Sequence, residues 1–129
     1  MRTVGLVAKG EIIGKKRINV LVKFDTGAAR TSIDEEIAKK AGLEFLEKEK
    51  LVISSSARKK RKLVKAVIML FGKKFEIVAN TAKRTHSPFK VLVGRDIILG
   101  NFVIDISKTH SGPKELDLRP AVAKRLGIK

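Results

Sequence analysis

The sequence contains no cysteine, no tryptophan and no tyrosine, and only three prolines. Without cysteine there are no disulfides, no thiol nucleophile and no Cys-ligated zinc. A cysteine-free chain fits a reducing compartment, so a cytoplasmic location is expected. The aromatic set is six phenylalanines, so Val, Ile and Leu must fill the core. Acidic residues are also scarce: 13 Asp and Glu face 29 Lys and Arg, a net charge of +16. A field of that sign attracts nucleic acid, anionic surfaces or acidic peptides, and says nothing about the fold. No apolar run approaches the length of a membrane span, so no membrane partner is expected. The opening "MRTVGLVAKGEIIGKKR" has no long apolar segment and does not predict a secretory signal. There is no GxxxxGK[ST] phosphate loop and no HExxH, and the two histidines, His86 and His110, lie far apart in sequence. No cofactor and no metal are expected from that set.

What is present is a chain of 129 residues, 43% of them hydrophobic, enough for one compact domain with a real core. Short strands are expected over 3–8 and 11–13 around Gly10, and over 18–24, where Val20, Val22 and Phe24 share one face. A helix follows. Ser32 with Glu35 three residues on is a capping-box pattern, Ile33, Ile37 and Ala41 repeat at helical spacing, and Gly42 is the stop. Strands are expected over 50–56 and 63–71, joined by "ARKKRK" as a hairpin with a basic tip. Further strands are expected at 75–79, 89–93 and 102–106, with a loop over 80–88 and one helical turn in "RDIILG". Many short strands and few helices predict a mainly β protein, closed or sandwiched. After residue 106 the composition turns polar and basic. Residues 1–106 are therefore read as the domain, and 107–129 as a basic C-terminal extension with a turn and a short helix near Pro120.

The run "VLVKFDTGAARTSID", residues 20–34, ends an apolar strand in an acid, a hydroxyl and a glycine. Asp-Thr-Gly makes an ordinary turn between strand and helix. It also places a carboxylate at a strand end, where burial is costly unless something uses it. About 70 residues on stands "VLVGRDIILGNFVIDI", an apolar strand, Gly-Arg-Asp, an apolar turn and a strand. Together, in this order over roughly residues 11–106 and with a hairpin between them, the two stretches resemble the retropepsin-like aspartic proteases. They are most similar to a prokaryotic single-DTG group with "DTGA(K/R)TS", often labelled ATP-dependent zinc proteases, a label this sequence does not support. The match here is one residue longer before the basic position.

The resemblance implies a small closed β-barrel of the acid-protease type with one or two short helices. It implies that Asp25, Thr26 and Gly27 form the catalytic loop. One DTG per chain supplies half of a carboxyl pair, so it implies a homodimer, with Asp25 paired to its symmetry mate. Gly94, Arg95 and Asp96 would buttress the loop, with Arg95 as an internal brace. Viral members place an acid directly after the Ala. This chain has Ala29 there, so Asp34 or Asp105 is expected to substitute. The plainer reading is a surface Arg and an N-cap Asp.

Ala28, Ala29 and Arg30, beside the loop, are candidate substrate-binding residues. So are Arg58, Lys59, Lys60 and Arg61 in the basic hairpin, expected as a flap over the cleft. A cationic flap would favour an acidic peptide, and the prokaryotic group is associated with enzymes that ligate glutamates. The same charges equally describe a solvated loop tip. The function expected is therefore an aspartic endopeptidase acting on a peptide or protein substrate, acidic or glutamate-rich in composition. Two alternatives stay open. One is a basic β-barrel that binds RNA or ribosomes, and the other is an inactive retropepsin-like scaffold.

Overall fold

A computed structural model describes residues 1–53 and 58–108, with backbone alone over 48–53 and 58–59. The expected helix near Pro120, His110 and the remainder of the extension fall outside the described residues. The strands in chain order are β1 Arg2–Val4, β2 Val7–Ile13, β3 Arg17–Phe24, β4 Ser32–Asp34, β5 Glu44–Ile53, β6 Arg58–Leu70, β7 Lys73–Ala82, β8 Val91–Val93 and β9 Phe102–Ile104. Two short helices, α1 Glu35–Ala41 and α2 Arg95–Ile98, interrupt them.

Six strands close a barrel in the order β2-β3-β8-β4-β7-β6, and β6 pairs back onto β2 from Gly10↔Leu70 to Ile13↔Val67. The mainly β, closed architecture expected from the sequence is the one observed. Closure brings β2 close to β6 at Gly10, where a Cβ would stand 2.9 Å from Leu70 Cδ2 and 3.1 Å from the Met69 carbonyl. Glycine there permits the crossing. It does not break the strand, so β2 is one continuous element where two short strands were expected.

The β3 alternation is the one read from the sequence: Val20, Val22 and Phe24 are buried while Leu21 and Lys23 are half-buried. Phe102 anchors the aromatic part of the core, with ring centroids 5.5, 5.9 and 5.8 Å from Phe24, Phe71 and Phe75. Offset, tilted rings at these distances match the quadrupole preference of aromatic pairs. β1 and β9 form a separate parallel two-stranded sheet. Among the described residues no helix is long and apolar enough to cross a membrane.

Three local expectations are corrected. Residues 32–34 are strand, not the start of the helix, and the N-cap is Asp34, whose Oδ2 accepts from the Ile37 N–H at 3.3 Å. Ser32 is held in β4 by parallel pairing to Asn80 of β7, so its hydroxyl is unavailable as a cap. For the same reason residues 80–82 are strand rather than loop. The basic run 58–62 is also not a hairpin tip. It lies in β6, paired from Ile53↔Arg58 to Glu49↔Lys62 with β5, and the joining residues 54–57 fall outside the described residues. The β5–β6 arm extends beyond the six barrel strands, because β5 pairs with β6 alone.

Candidate active site

β3 and β8 run parallel and end side by side, with Phe24 opposite Val93. The residues just past those ends are Asp25 and Gly94, so the two motifs that stood about 70 residues apart meet at one end of the barrel. The Asp25 N–H donates to the Val93 carbonyl at 2.8 Å. The Asp25 carbonyl accepts from the Ala28 N–H at 3.2 Å, and its Oδ1 accepts from the Gly27 N–H at 3.0 Å. The second contact is an Asx-type turn, the reason Asp suits this position geometrically. It fixes one carboxylate oxygen. Asp25 is half-buried, while Thr26, Gly27 and Ala29 are exposed, and Ala28 and Arg30 are half-buried.

The loop is braced from α2 and its approach. The Arg95 N–H donates to the Ala28 carbonyl at 2.8 Å, and Arg95 Nη1 donates to the Thr26 carbonyl at 2.9 Å. Arg95 thus contacts the loop through a backbone carbonyl. Neither expected acid partners it. Asp34 is occupied at the α1 cap and with Arg84, and Asp105 accepts from Ser107. Asp96 does not cap α2, whose N-cap is Gly94 with no side-chain cap. Both of its carboxylate oxygens instead accept from the Thr31 N–H, at 3.0 and 2.9 Å, and Oδ1 accepts from the Thr31 hydroxyl at 2.7 Å. Thr31 Oγ1 in turn accepts from the Gly94 N–H at 3.0 Å. Gly94 is tightly enclosed: a Cβ would lie 2.7 Å from the Arg30 carbonyl carbon and 2.9 Å from the Ala28 oxygen.

The cations divide. Arg30 Nη1 donates to the Val78 carbonyl at 3.1 Å and Arg61 Nη1 to the Thr81 carbonyl at 3.4 Å, so both lie along β7. Lys60 is exposed on the arm. The side chains of Arg58 and Lys59 fall outside the described residues. Sequence reasoning matched Thr31 and Ser32 to the motif without giving them these contacts, read Ser32 as a helix cap, and missed Arg84. Arg84 was hidden in a presumed loop, yet its Nη2 donates to Ser32 Oγ at 2.8 Å and its N–H donates to Asp34 Oδ1 at 2.8 Å. Burial first, and Arg61 second, pull the Arg84 guanidinium below its ordinary value, while Asp34 and Asp25 act to raise it. Among the described residues no group of three or more His, Asp or Glu side chains could hold a metal ion.

No family model matches the chain, and no curated protein matches it. Solved structures do. A Legionella pneumophila protein of unknown function is similar with a TM-score of 0.58 and 22% identity, over 84% of this chain and 96% of that one. The EIAV protease complexed with an inhibitor is similar with a TM-score of 0.55 and 15% identity, over 77% and 91%. The simian foamy virus protease gives a TM-score of 0.51 and 17% identity, over 70% and 88%. At these identities the likeness is one of fold, and the fold of this chain is the closed barrel of the retropepsin-like proteases, with the DTG loop and the Gly-Arg-Asp turn at the same end of it.

Proposed function

We propose that the protein is an aspartic endopeptidase acting as a homodimer, of the prokaryotic single-DTG type, in the cytoplasm. The observation that carries this reading is the Asp25 loop at the paired ends of β3 and β8, with one carboxylate oxygen held by Gly27 and the loop braced by Arg95. Two such loops facing each other across a two-fold axis would bring two Asp25 carboxyls together. Like charges about 3 Å apart do not both ionise, so the pair holds one proton. The ionised member takes a proton from water, whose oxygen attacks the peptide carbonyl carbon. The protonated member gives its proton to the carbonyl oxygen. The tetrahedral gem-diol then collapses and the C–N bond breaks: the now protonated carboxyl gives its proton to the leaving nitrogen, and a gem-diol hydroxyl returns a proton to the other carboxylate, which restores the one-proton pair. The exposed hydroxyl of Thr26 is suited to bond the partner loop, and Ala28 keeps the loop small beside the substrate.

The β5–β6 arm is the proposed flap. Its cations favour an acidic or glutamate-rich peptide by charge complementarity. Reversing the charges of Lys60 and Arg61 would remove that preference, and an unchanged preference would remove this part of the reading. A nucleic-acid-binding role is supported by the +16 charge. It is opposed by the six phenylalanines, all buried or half-buried, which leaves no exposed phenylalanine ring for base stacking.

The test is cleavage of a mixed peptide library enriched in Glu-rich sequences, read by mass spectrometry from acid to neutral pH, for wild type and Asp25→Asn. Fragments from wild type alone are expected. Identical products from both proteins, with a dimer present in the same sample, would refute the proposal and leave a scaffold or binding role.

A further inference from the structure

Two residues before Asp25, Lys23 of β3 helps to bound a cavity of about 660 Å³, together with Leu92 of β8 and the 83–89 segment. Lys23 and Leu92 are register partners, one step before Phe24 and Val93, which lead into the site. Lys23, Lys83, Arg84 and His86 line this cavity, and no Asp or Glu does.

Arg84 is unusually fixed. Its N–H is held by Asp34 Oδ1 and its carbonyl accepts from Lys90 Nζ at 2.8 Å. Its Nη2 is held by Ser32 Oγ, a buried hydroxyl and so a neutral partner. Its Nε is buried without a hydrogen-bond partner. Among the described residues no carboxylate forms an ion pair with it. A buried donor left unmade costs free energy, and a buried cation costs more unless an anion compensates it. Asp34 gives its two oxygens to the backbone N–H groups of Arg84 and Ile37, so its charge favours the guanidinium without a direct contact among the described residues.

We propose that this cavity receives the side-chain carboxylate of an acidic residue of the bound peptide, next to the bond being cut, and that Arg84 is the residue that reads it. The proposal rests on the peptidase reading of Asp25 and gives it a specificity determinant distinct from the arm. Burial and Arg61 together disfavour the Arg84 charge, and an incoming carboxylate offsets both. Lys23, on the same cavity wall, adds a second cation. A carboxylate fits a planar guanidinium as a paired acceptor, whereas a neutral amide leaves the charge uncompensated. A pre-positioned guanidinium also loses little side-chain freedom on binding.

The experiment uses full-length Asp25→Asn, which should hold peptide uncut, and fluorescent peptides that differ only by Glu or Gln at each position, in about 0.15 M salt. The Glu peptide is expected to bind roughly ten- to a hundredfold tighter at one position. Adding Arg84→Gln should bring the ratio near one, and Arg84→Lys should restore part of it. Because Arg84→Gln also strips Ser32 of its partner, its melting is followed. Lys23→Gln, a half-buried wall residue, provides a second variant and should lower the ratio severalfold. Equal binding of both peptides overturns the inference. So does a Glu preference that survives Arg84→Gln in a folded protein, or survives Lys23→Gln should Arg84→Gln fail to fold. Arg84-dependent binding of a single-stranded RNA oligonucleotide without peptide binding overturns it as well. A Glu preference that depends on Arg84, in a protein whose wild type cuts nothing, would sustain the carboxylate site and refute the peptidase reading.

Discussion

Thr31 and Asp96 stand 65 positions apart and share three hydrogen bonds, two from the Thr31 N–H and one from its hydroxyl. Thr31 is fully buried and its Oγ1 also accepts from Gly94. One threonine therefore ties the approach to α2 to the segment that follows the Asp25 loop. The hydroxyl donates to a carboxylate oxygen and accepts from a buried amide, so both of its roles are used. Such a satisfied network rigidifies what it connects. Here it connects the two stretches whose relative position sets the Asp25 carboxylate.

Thr31→Val keeps the shape and removes the hydroxyl. The buried Gly94 N–H then loses its acceptor and Asp96 loses a donor. A destabilisation of about 1–3 kcal/mol is expected, since an unsatisfied buried group costs its desolvation. Urea unfolding should show a lower midpoint with an unchanged slope. Thr31→Ser restores the hydroxyl and should recover most of the loss. An unaltered midpoint in Thr31→Val would show that the network is not coupled to folding.

Gly94→Ala probes the same junction from the backbone side. The new Cβ would meet backbone atoms of Arg30 and Ala28 at 2.7–2.9 Å, and backbone cannot rotate away as a side-chain end can. Overpacking of this kind costs about 1–3 kcal/mol. Peptide cleavage should fall further than stability implies, because the atoms displaced belong to the loop after Asp25. The comparison is thermal melting beside the cleavage rate, and a variant matching wild type in both would refute the steric account.

Much of this was legible in the sequence where the signal is local. The Asp-Thr-Gly stretch marked the end of β3, and Gly42 marked the end of α1, where it adopts φ 71° and donates back to Ala38 and Lys39. The period-two burial of β3 was plain because one face is buried and the other is not. What could not be read depends on partners distant in sequence. β4 has three residues, too few for a period, and exists because β7 and β8 flank it. Its pairing took Ser32 out of the helix and passed the cap to Asp34. The cations of 58–62 resembled a loop tip because a solvated strand and a turn share a polar composition. Arg84 was invisible in the sequence because only the folded barrel sets it beside Ser32 and Asp34.

The Asp105 carboxylate offers a pH test away from the site. Its Oδ1 accepts from the Ser107 hydroxyl at 2.6 Å and from the Ser107 N–H at 3.0 Å, and these bonds, the hydroxyl's first, hold its pKa below the ordinary 3.8. A carboxylate with a depressed folded pKa stabilises the fold above its unfolded pKa, and that contribution is lost as pH falls through the folded value. Ser107→Ala removes the hydroxyl contact, so the titration of Asp105 followed by NMR should move upward towards 3.8. A titration that does not move would assign the shift to the Ser107 amide and the Lys108 charge.

Arg95 separates positioning from stability. Its side chain is exposed and its bond to the Thr26 carbonyl is one contact on a solvent-facing loop. In Arg95→Gln water can take the guanidinium's place at that carbonyl, so the expected stability loss is under about 1 kcal/mol. Catalysis is more demanding. In the proposed dimeric peptidase two Asp25 loops meet in register, and a misplacement near 1 Å can cost on the order of a hundredfold. Arg95→Gln should therefore lower kcat at least about tenfold, with KM changed little, while melting close to wild type. Arg95→Lys, which keeps the charge but not the planar fork, should recover only part of kcat. If kcat and melting temperature fell together in Arg95→Gln, its role would be structural; if both were preserved, the Ala28 and Asp96 contacts alone would suffice to hold the loop.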